Sequence, residues 1–155
     1  MTTSGGFDLR TRADLFRKLK HDYSRIRKNW ADSYAAFDFF VTAFHMKDWP
    51  PVGTPAPCTD SDYGKELRKV CSHLANGLKH FEVHRHHSVK GTELVGSAFD
   101  PHAFSPETFP VGYLVVHLEE DAAKALGMPS IDVITLANKV LTYWESSLHI
   151  SYTKP

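Results

Sequence analysis

The chain lacks the features that identify secreted and membrane proteins. Its 155 residues include only two cysteines, Cys58 and Cys71. Two unpaired thiols in a reducing compartment are the simplest interpretation, and a single disulfide stays open. No apolar run approaches the roughly 18 residues of a membrane-spanning helix, and the polar N-terminus lacks the apolar core of a signal peptide. These absences predict a cytoplasmic protein with no membrane contact.

Neither sign of charge predominates, because 18 basic residues balance 18 acidic ones. No overall basic field is therefore available, and any contact with nucleic acid must come from a local patch. The sequence also contains no phosphate-binding P-loop, no dinucleotide fingerprint and no nucleophile elbow, which disfavours those enzyme classes. With 42% hydrophobic and 23% charged residues, the composition predicts a single domain over residues 1–155 with a flexible N-terminus at residues 1–7.

Histidine is abundant, with ten in the chain, and many of them lie in or near the segment from Tyr63 to His87. We predict that this segment is one long helix, because apolar residues recur every three or four positions. The opposite face has no carboxylate between Glu66 and Glu82. Such a face can donate protons and bind anions. Its polar residues are Lys69, Ser72, His73, Asn76, Lys79 and His80, with Arg68 at the edge.

Two helices are predicted before this segment. The first, from about Leu9 to Trp30, has a strongly basic outer face that is either a solvated surface or a contact surface for phosphates. The second, from Asp32 or Ser33 to about Lys47, is aromatic nearly all round and is therefore expected to be central. Its polar stripe ends in His45 and Asp48, which form either an ion pair at the helix end or an orienting pair for a catalytic imidazole. The basic residues of the first helix are Arg10, Arg12, Arg17, Lys18, Lys20, Arg25, Arg27 and Lys28.

After Lys90 the sequence pattern changes from helical to β-strand periodicity. Two β-leaning stretches around a proline-rich loop predict a hairpin over residues 91–118. A short helical turn over residues 121–126 and a final helix starting at Pro129 or Ser130 are expected to follow. The predicted fold class is mainly α: an antiparallel four-helix bundle with a small β-hairpin inserted before the last helix.

The polar face of the long helix suits RNA cleavage by a neighbouring 2′-hydroxyl. That reaction requires a base, an acid and cationic donors, and it requires no metal. Arg68, His73 and His80 are the candidate catalytic residues, with no cofactor. Asn76, Lys79, His45 and Asp48 are the candidate substrate-binding residues.

The stretch Arg68-Lys-Val-Cys-Ser-His73, in a chain of about four helices, resembles the HEPN superfamily. The motif of that family is an arginine, four to six residues and a histidine on a helix. The resemblance implies a small helical, metal-independent endoribonuclease of a toxin–antitoxin or defence system, with Arg68 and His73 as the active pair. It also implies a homodimer that shares the site, with RNA as substrate and an antitoxin as a protein partner.

Two alternatives stay open. His80 and His84 are four residues apart, the spacing by which two helical imidazoles share a metal, and His86 is a possible third ligand. The sequence therefore also fits a zinc or nickel site within residues 80–87. The other alternative is a non-catalytic dimeric binding or assembly module, in which the aromatic helix forms part of the dimer core and the hairpin pairs with a partner.

Overall fold

The computed structural model describes residue 7 and residues 9–50, 61–80, 88–96 and 112–148, without the side chains of residues 78–80. Within these ranges the protein is mainly helical and carries a small antiparallel sheet. The α-helices are α1 (Arg12–Lys28), α2 (Ser33–His45), α3 (Asp62–His80), α4 (Glu120–Leu126) and α5 (Val133–Leu148), and a 3₁₀ turn (Met46–Asp48) extends α2. The strands are β1 (Val89–Val95), β2 (Tyr113–Leu118) and β3 (Ser130–Asp132).

Side-chain caps set the starts of the first two helices. The Thr11 hydroxyl accepts a hydrogen bond from the Asp14 N–H at 3.2 Å, and the Asp14 carboxylate accepts one from the Thr11 N–H at 2.8 Å. This reciprocal pair satisfies two amide groups that have no partner within the helix. The Asp32 carboxylate caps α2 in the same way, at 2.9 Å from the Ala35 nitrogen. The start of α2 agrees with the sequence prediction, whereas α1 begins at Arg12, three residues after the predicted Leu9.

Helix α2 lies at the centre of the helical layer and contacts α1, α3 and α5. Phe39 and Phe40 are almost fully buried, and their rings meet edge to face with centroids 5.2 Å apart. Aromatic pairs prefer this arrangement to face-to-face stacking. The prediction of a central aromatic helix is therefore confirmed.

A buried polar network joins α1 to α2. Asp22 is 2% exposed, and its carboxylate lies 2.5 Å from the Lys18 ammonium group. The same ammonium group donates to the Thr42 hydroxyl at 2.8 Å. Arg25 bonds to Asp38 on α2 at 2.5 Å. Two residues of the basic face of α1, Lys18 and Arg25, thus bond to α2 and hold the two helices together.

The predicted hairpin is present, with β1 paired antiparallel to β2 and Leu94 opposite Leu114. The structure adds a third strand: β3 pairs with the other edge of β2, placing Ile131 opposite Val116. The predicted start of the last helix at Pro129 or Ser130 was wrong. Residues from Ser130 instead form β3, and Asp132 caps α5 by accepting the Thr135 N–H at 2.8 Å.

The four-helix bundle is not confirmed, because the described residues form five α-helices. The additional helix, α4, is the predicted turn at residues 121–126, and it ends at Gly127 in the left-handed conformation (φ 77°). The long helix predicted from Tyr63 to His87 is described as far as His80. The flexible N-terminus predicted at residues 1–7 falls almost wholly outside the described residues.

Candidate functional site

A cleft of about 320 Å³ lies where α2, α3 and α5 meet. Its apolar lining comes from all three helices, and two of its aromatic rings, Phe44 and Tyr143, are only partly buried. A volume of this size is within the range of small-ligand sites in proteins. The apolar residues that line the cleft are Ala43, Phe44, Leu67, Cys71, Val140, Tyr143 and Trp144.

The polar lining of the cleft is basic. Among the described residues that line it, none is acidic. Three of the cations follow one another on α3 at spacings of three and one residue, so at about 100° per residue they share one side of that helix with Ser72. The cleft therefore presents positive charge beside an aromatic wall. The polar residues that line it are Lys47, Lys65, Arg68, Lys69 and Ser72.

Neighbouring groups hold several of these cations in place. Lys69 bonds to Glu66 at 2.6 Å, and this hydrogen bond raises the pKa of Lys69, so that its side chain stays charged. Lys65 lies 3.5 Å from Asp62, an exposed residue at the start of α3. The Lys47 ammonium group lies 4.8 Å from the centre of the Phe44 ring. Because Lys65 and its carboxylate partner are both at the surface, their pairing is weak and can be exchanged for a ligand phosphate.

Gly64 determines how closely Tyr143 approaches α3. A Cβ atom at position 64 would lie 2.8 Å from a ring carbon of Tyr143, closer than side chains normally approach. The absence of a side chain at this position therefore allows the ring to rest against the α3 backbone. The Tyr143 ring in turn contacts Trp144 edge to face, with centroids 5.2 Å apart. One wall of the cleft thus depends on a glycine in the facing helix.

Arg12 connects α1 to residues that line the cleft. Its guanidinium carbon lies 5.9 Å from the Trp144 ring centre. Its Nε donates to the Met46 carbonyl at 2.9 Å, and one terminal nitrogen donates to the Lys47 carbonyl at 3.1 Å. These bonds satisfy carbonyl groups at the end of α2, which have no partner within the helix. Arg12 therefore fixes the backbone that carries Lys47.

Arg68 and His73 do not meet within the chain. Five residues along an α-helix turn a side chain by about 140° relative to the first. Arg68 accordingly lines the cleft, whereas His73 points toward β1, where it bonds to Ser88. The spacing of the motif thus places its two residues on different sides of α3.

The His73 imidazole is held by the backbone. Its Nδ1 lies 3.2 Å from the Ser88 nitrogen and accepts that N–H. In the neutral ring this leaves the proton on Nε2, so the ring can donate a hydrogen bond but has no lone pair available to act as a base. Ser88 is only 5% exposed. The bond therefore connects α3 to the beginning of the sheet at a buried point.

We expect His73→Ala to lower the free energy of unfolding by about 1–2 kcal/mol, because it leaves the buried Ser88 N–H without its acceptor. His117→Ala is the matched control, since His117 is partly exposed and its 3.0 Å contact is to the exposed Glu93. The control should change stability by less than about 0.5 kcal/mol. Urea denaturation measures both variants, and equal stabilities would contradict a structural role for His73.

The other predicted site residues are distributed around the cleft and beyond it. Asn76 donates to Ser72 at 3.3 Å, one helical turn from the cleft lining. His45 and Asp48 are 3.1 Å apart at the end of α2, a contact that fits both the ion pair and the orienting pair, and they lie beside the lining residues Phe44 and Lys47. The side chains of Lys79 and His80, together with His84 and His86, are outside the described residues.

No group of three or more His, Cys, Asp or Glu side chains is placed to hold a metal in the part of the chain that the structure describes. The alternative zinc or nickel site depends on residues 80–87 and stays a prediction. None of the described helices is long and apolar enough to cross a bilayer.

The cleft includes residues that the sequence did not single out. Phe44 belonged to the aromatic helix, and Trp144 to the apolar stripe of the last helix. Lys47 and Lys65 were unremarkable lysines near predicted helix ends. Only the tertiary arrangement shows that they share one cleft with Arg68. The sequence held only a weak indication of this site. Lys65 lies close to the start of a helix, where the helix dipole disfavours positive charge.

No protein-family model, no curated protein and no solved structure matches this chain.

Proposed function

We propose that this protein binds RNA through the cleft between α2, α3 and α5, without cleaving it. The observation that carries the proposal is the combination of four cationic side chains with an aromatic wall and no acidic lining residue. Contacts to phosphate groups supply a large share of the affinity in protein–nucleic acid complexes. Because the net charge of the protein is zero, this local patch is the kind of surface that such binding requires. RNA is the nucleic acid that the sequence resemblance favours.

The arrangement of charge supports this function. Lys65 lies close to the N-terminus of α3 and Lys47 at the end of α2, and both residues line the cleft. A lysine near a helix N-terminus reduces helix stability by a few tenths of a kcal/mol. An anionic ligand beside Lys65 would instead be attracted by the lysines and by the dipole of α3 together.

The ribonuclease interpretation stays a prediction of the resemblance. Within one chain, Arg68 and His73 face different sides of α3, and the Nδ1 atom of His73 is bonded to Ser88. A site formed across a homodimer would need His73 of a second copy to approach Arg68. The binding module requires no such rearrangement and therefore agrees better with the observed geometry.

The test is binding of a short fluorescein-labelled single-stranded RNA, followed by anisotropy over a range of salt concentrations. The variant is Lys47→Ala with Lys65→Ala. We expect it to weaken binding about tenfold and to reduce the salt slope by about 1.4, since each phosphate contact on a single strand contributes about 0.7.

The matched control is Arg27→Ala with Lys28→Ala. Both residues are exposed, the change in charge is the same, and they lie about 24 Å from Arg12 along α1. This control should retain wild-type affinity. Equal weakening in both double variants, or no binding by the wild type, would contradict the proposal.

The same mixtures, run on a denaturing gel in the presence of EDTA, separate binding from catalysis. Intact RNA is expected. Cleavage that resists EDTA and disappears in His73→Ala would favour the ribonuclease instead. Cleavage that EDTA abolishes would favour a catalytic metal bound at residues 80–87.

A further inference from the structure

The aromatic wall adds a second property to the cleft, distinct from its charge. Phe44 and Tyr143 both line the cleft and are only partly buried. Trp144 supports the Tyr143 ring from the side, and Gly64 fixes its distance from α3. The rings are thus held in position before a ligand arrives, which lowers the entropic cost of stacking against them.

The size and depth of the cleft limit what can reach these rings. The space is about 320 Å³, and all of its fully buried lining residues are apolar. A planar ring system can enter such a space, but a base that is paired and stacked inside a duplex cannot reach it. Phosphates alone would contact the rim and leave the apolar lining in water.

Basic groups lie close to the rings, and the Lys47 ammonium group lies over the face of the Phe44 ring. The Lys47 ammonium group is 4.8 Å from the Phe44 ring centre, and Arg68 lines the same space from α3. A nucleotide combines these features, because its flat base is linked to an anionic phosphate. Single-strand binding sites pair stacking rings with basic grooves in this way.

We propose that the cleft accepts one unpaired RNA base, stacked against Phe44 or Tyr143, with the adjoining phosphate on Lys65 and Arg68. This inference rests on the proposed function and adds the ligand class: single-stranded rather than double-stranded RNA. It predicts a preference for exposed bases, which a purely electrostatic site would not have.

The experiment compares three probes: a labelled single-stranded RNA, the duplex of the same sequence, and inorganic polyphosphate, which carries phosphates without bases. The wild type should bind the single strand at least about tenfold more tightly than the duplex. Phe44→Leu, which retains apolar volume and removes the ring, should weaken single-strand binding about tenfold. It should weaken polyphosphate binding much less, because every cation of the cleft remains and only Lys47 loses the ring beneath it. Tyr34→Leu, an exposed aromatic about 15 Å away along α2, should change neither.

A measurement on the unmodified protein tests the same inference without depending on whether the variant folds. Single-stranded RNA containing 5-bromouridine, irradiated in the complex, should crosslink to the peptide that contains Phe44 or Tyr143, as identified by mass spectrometry. Three results would each overturn the base-binding inference and leave RNA binding by the basic residues intact. In the first the wild type binds the duplex as tightly as the single strand, in the second Phe44→Leu weakens polyphosphate binding as much as single-strand binding, and in the third the crosslinks fall only on other peptides. If no form of RNA binds, the proposed function fails with it.

Discussion

Replacing Lys18 with methionine is expected to lower the free energy of unfolding by about 2 kcal/mol. The change removes the ammonium group that lies 2.5 Å from the Asp22 carboxylate, and Asp22 is 2% exposed. Removing one partner of a fully buried pair costs about 3–5 kcal/mol. The cost here is smaller because Lys18 is partly exposed and Arg25 remains 3.7 Å from the carboxylate.

Two further variants identify the cause of this loss of stability. Lys28→Met removes an exposed lysine near the end of the same helix and should change stability by less than about 0.5 kcal/mol. The double variant Lys18→Met with Asp22→Leu should recover most of the lost stability, because no buried carboxylate then remains without its partner. Chemical denaturation at neutral pH measures all three. A double variant that is less stable than Lys18→Met would contradict this account.

The second large effect is a loss of stability at alkaline pH caused by Cys71. Burial beneath the cleft raises the pKa of this thiol from 9.0 to about 12. The unfolded chain therefore releases the thiol proton above pH 9, whereas the folded chain retains it. The associated stability is fully present below pH 9 and is lost progressively as the pH rises toward 12, at about 1.4 kcal/mol per pH unit. At pH 10.5 the expected loss is about 2 kcal/mol.

Cys71→Ala is the comparison that isolates this thiol. At pH 8 the variant should be less stable than the wild type, because a buried atom has been removed. Between pH 8 and pH 10.5 the difference should shift by about 2 kcal/mol in favour of the variant. Cys58 and the tyrosines are present in both proteins, so their titration cancels in the comparison. Parallel stability curves would show that the Cys71 thiol ionises as readily in the folded chain as in the unfolded one.

Much of the fold follows from local patterns in the chain. The start of α2 at Asp32, the aromatic surface of that helix and the two strands of the hairpin were all predicted, because helix and strand periodicities depend on neighbours a few residues apart. The third strand was missed because Ser130–Asp132 is too short to show a period. Its strand conformation comes from pairing with β2, an interaction between separate segments of the chain.

The candidate site was only partly predictable for a related reason. The sequence indicated that the polar face of α3 was unusual, and Arg68 does line the cleft. Periodicity alone, however, could not say which neighbour each side chain would meet. His73 proved to be bonded to the backbone of Ser88, and Lys18 and Arg25, from the basic face of α1, bond to Asp22 and Asp38.

By itself the sequence determined where α2 begins, which faces of the long helices are apolar and that a hairpin precedes the last helix, since these properties depend on short-range sterics and hydrogen bonds. Only the tertiary structure decided that residues near positions 45, 68 and 143 share a cleft. Three helices distant in the chain must pack before their aromatic and basic side chains can meet. That packing depends on shape and buried area summed over the whole core, and no local pattern contains it.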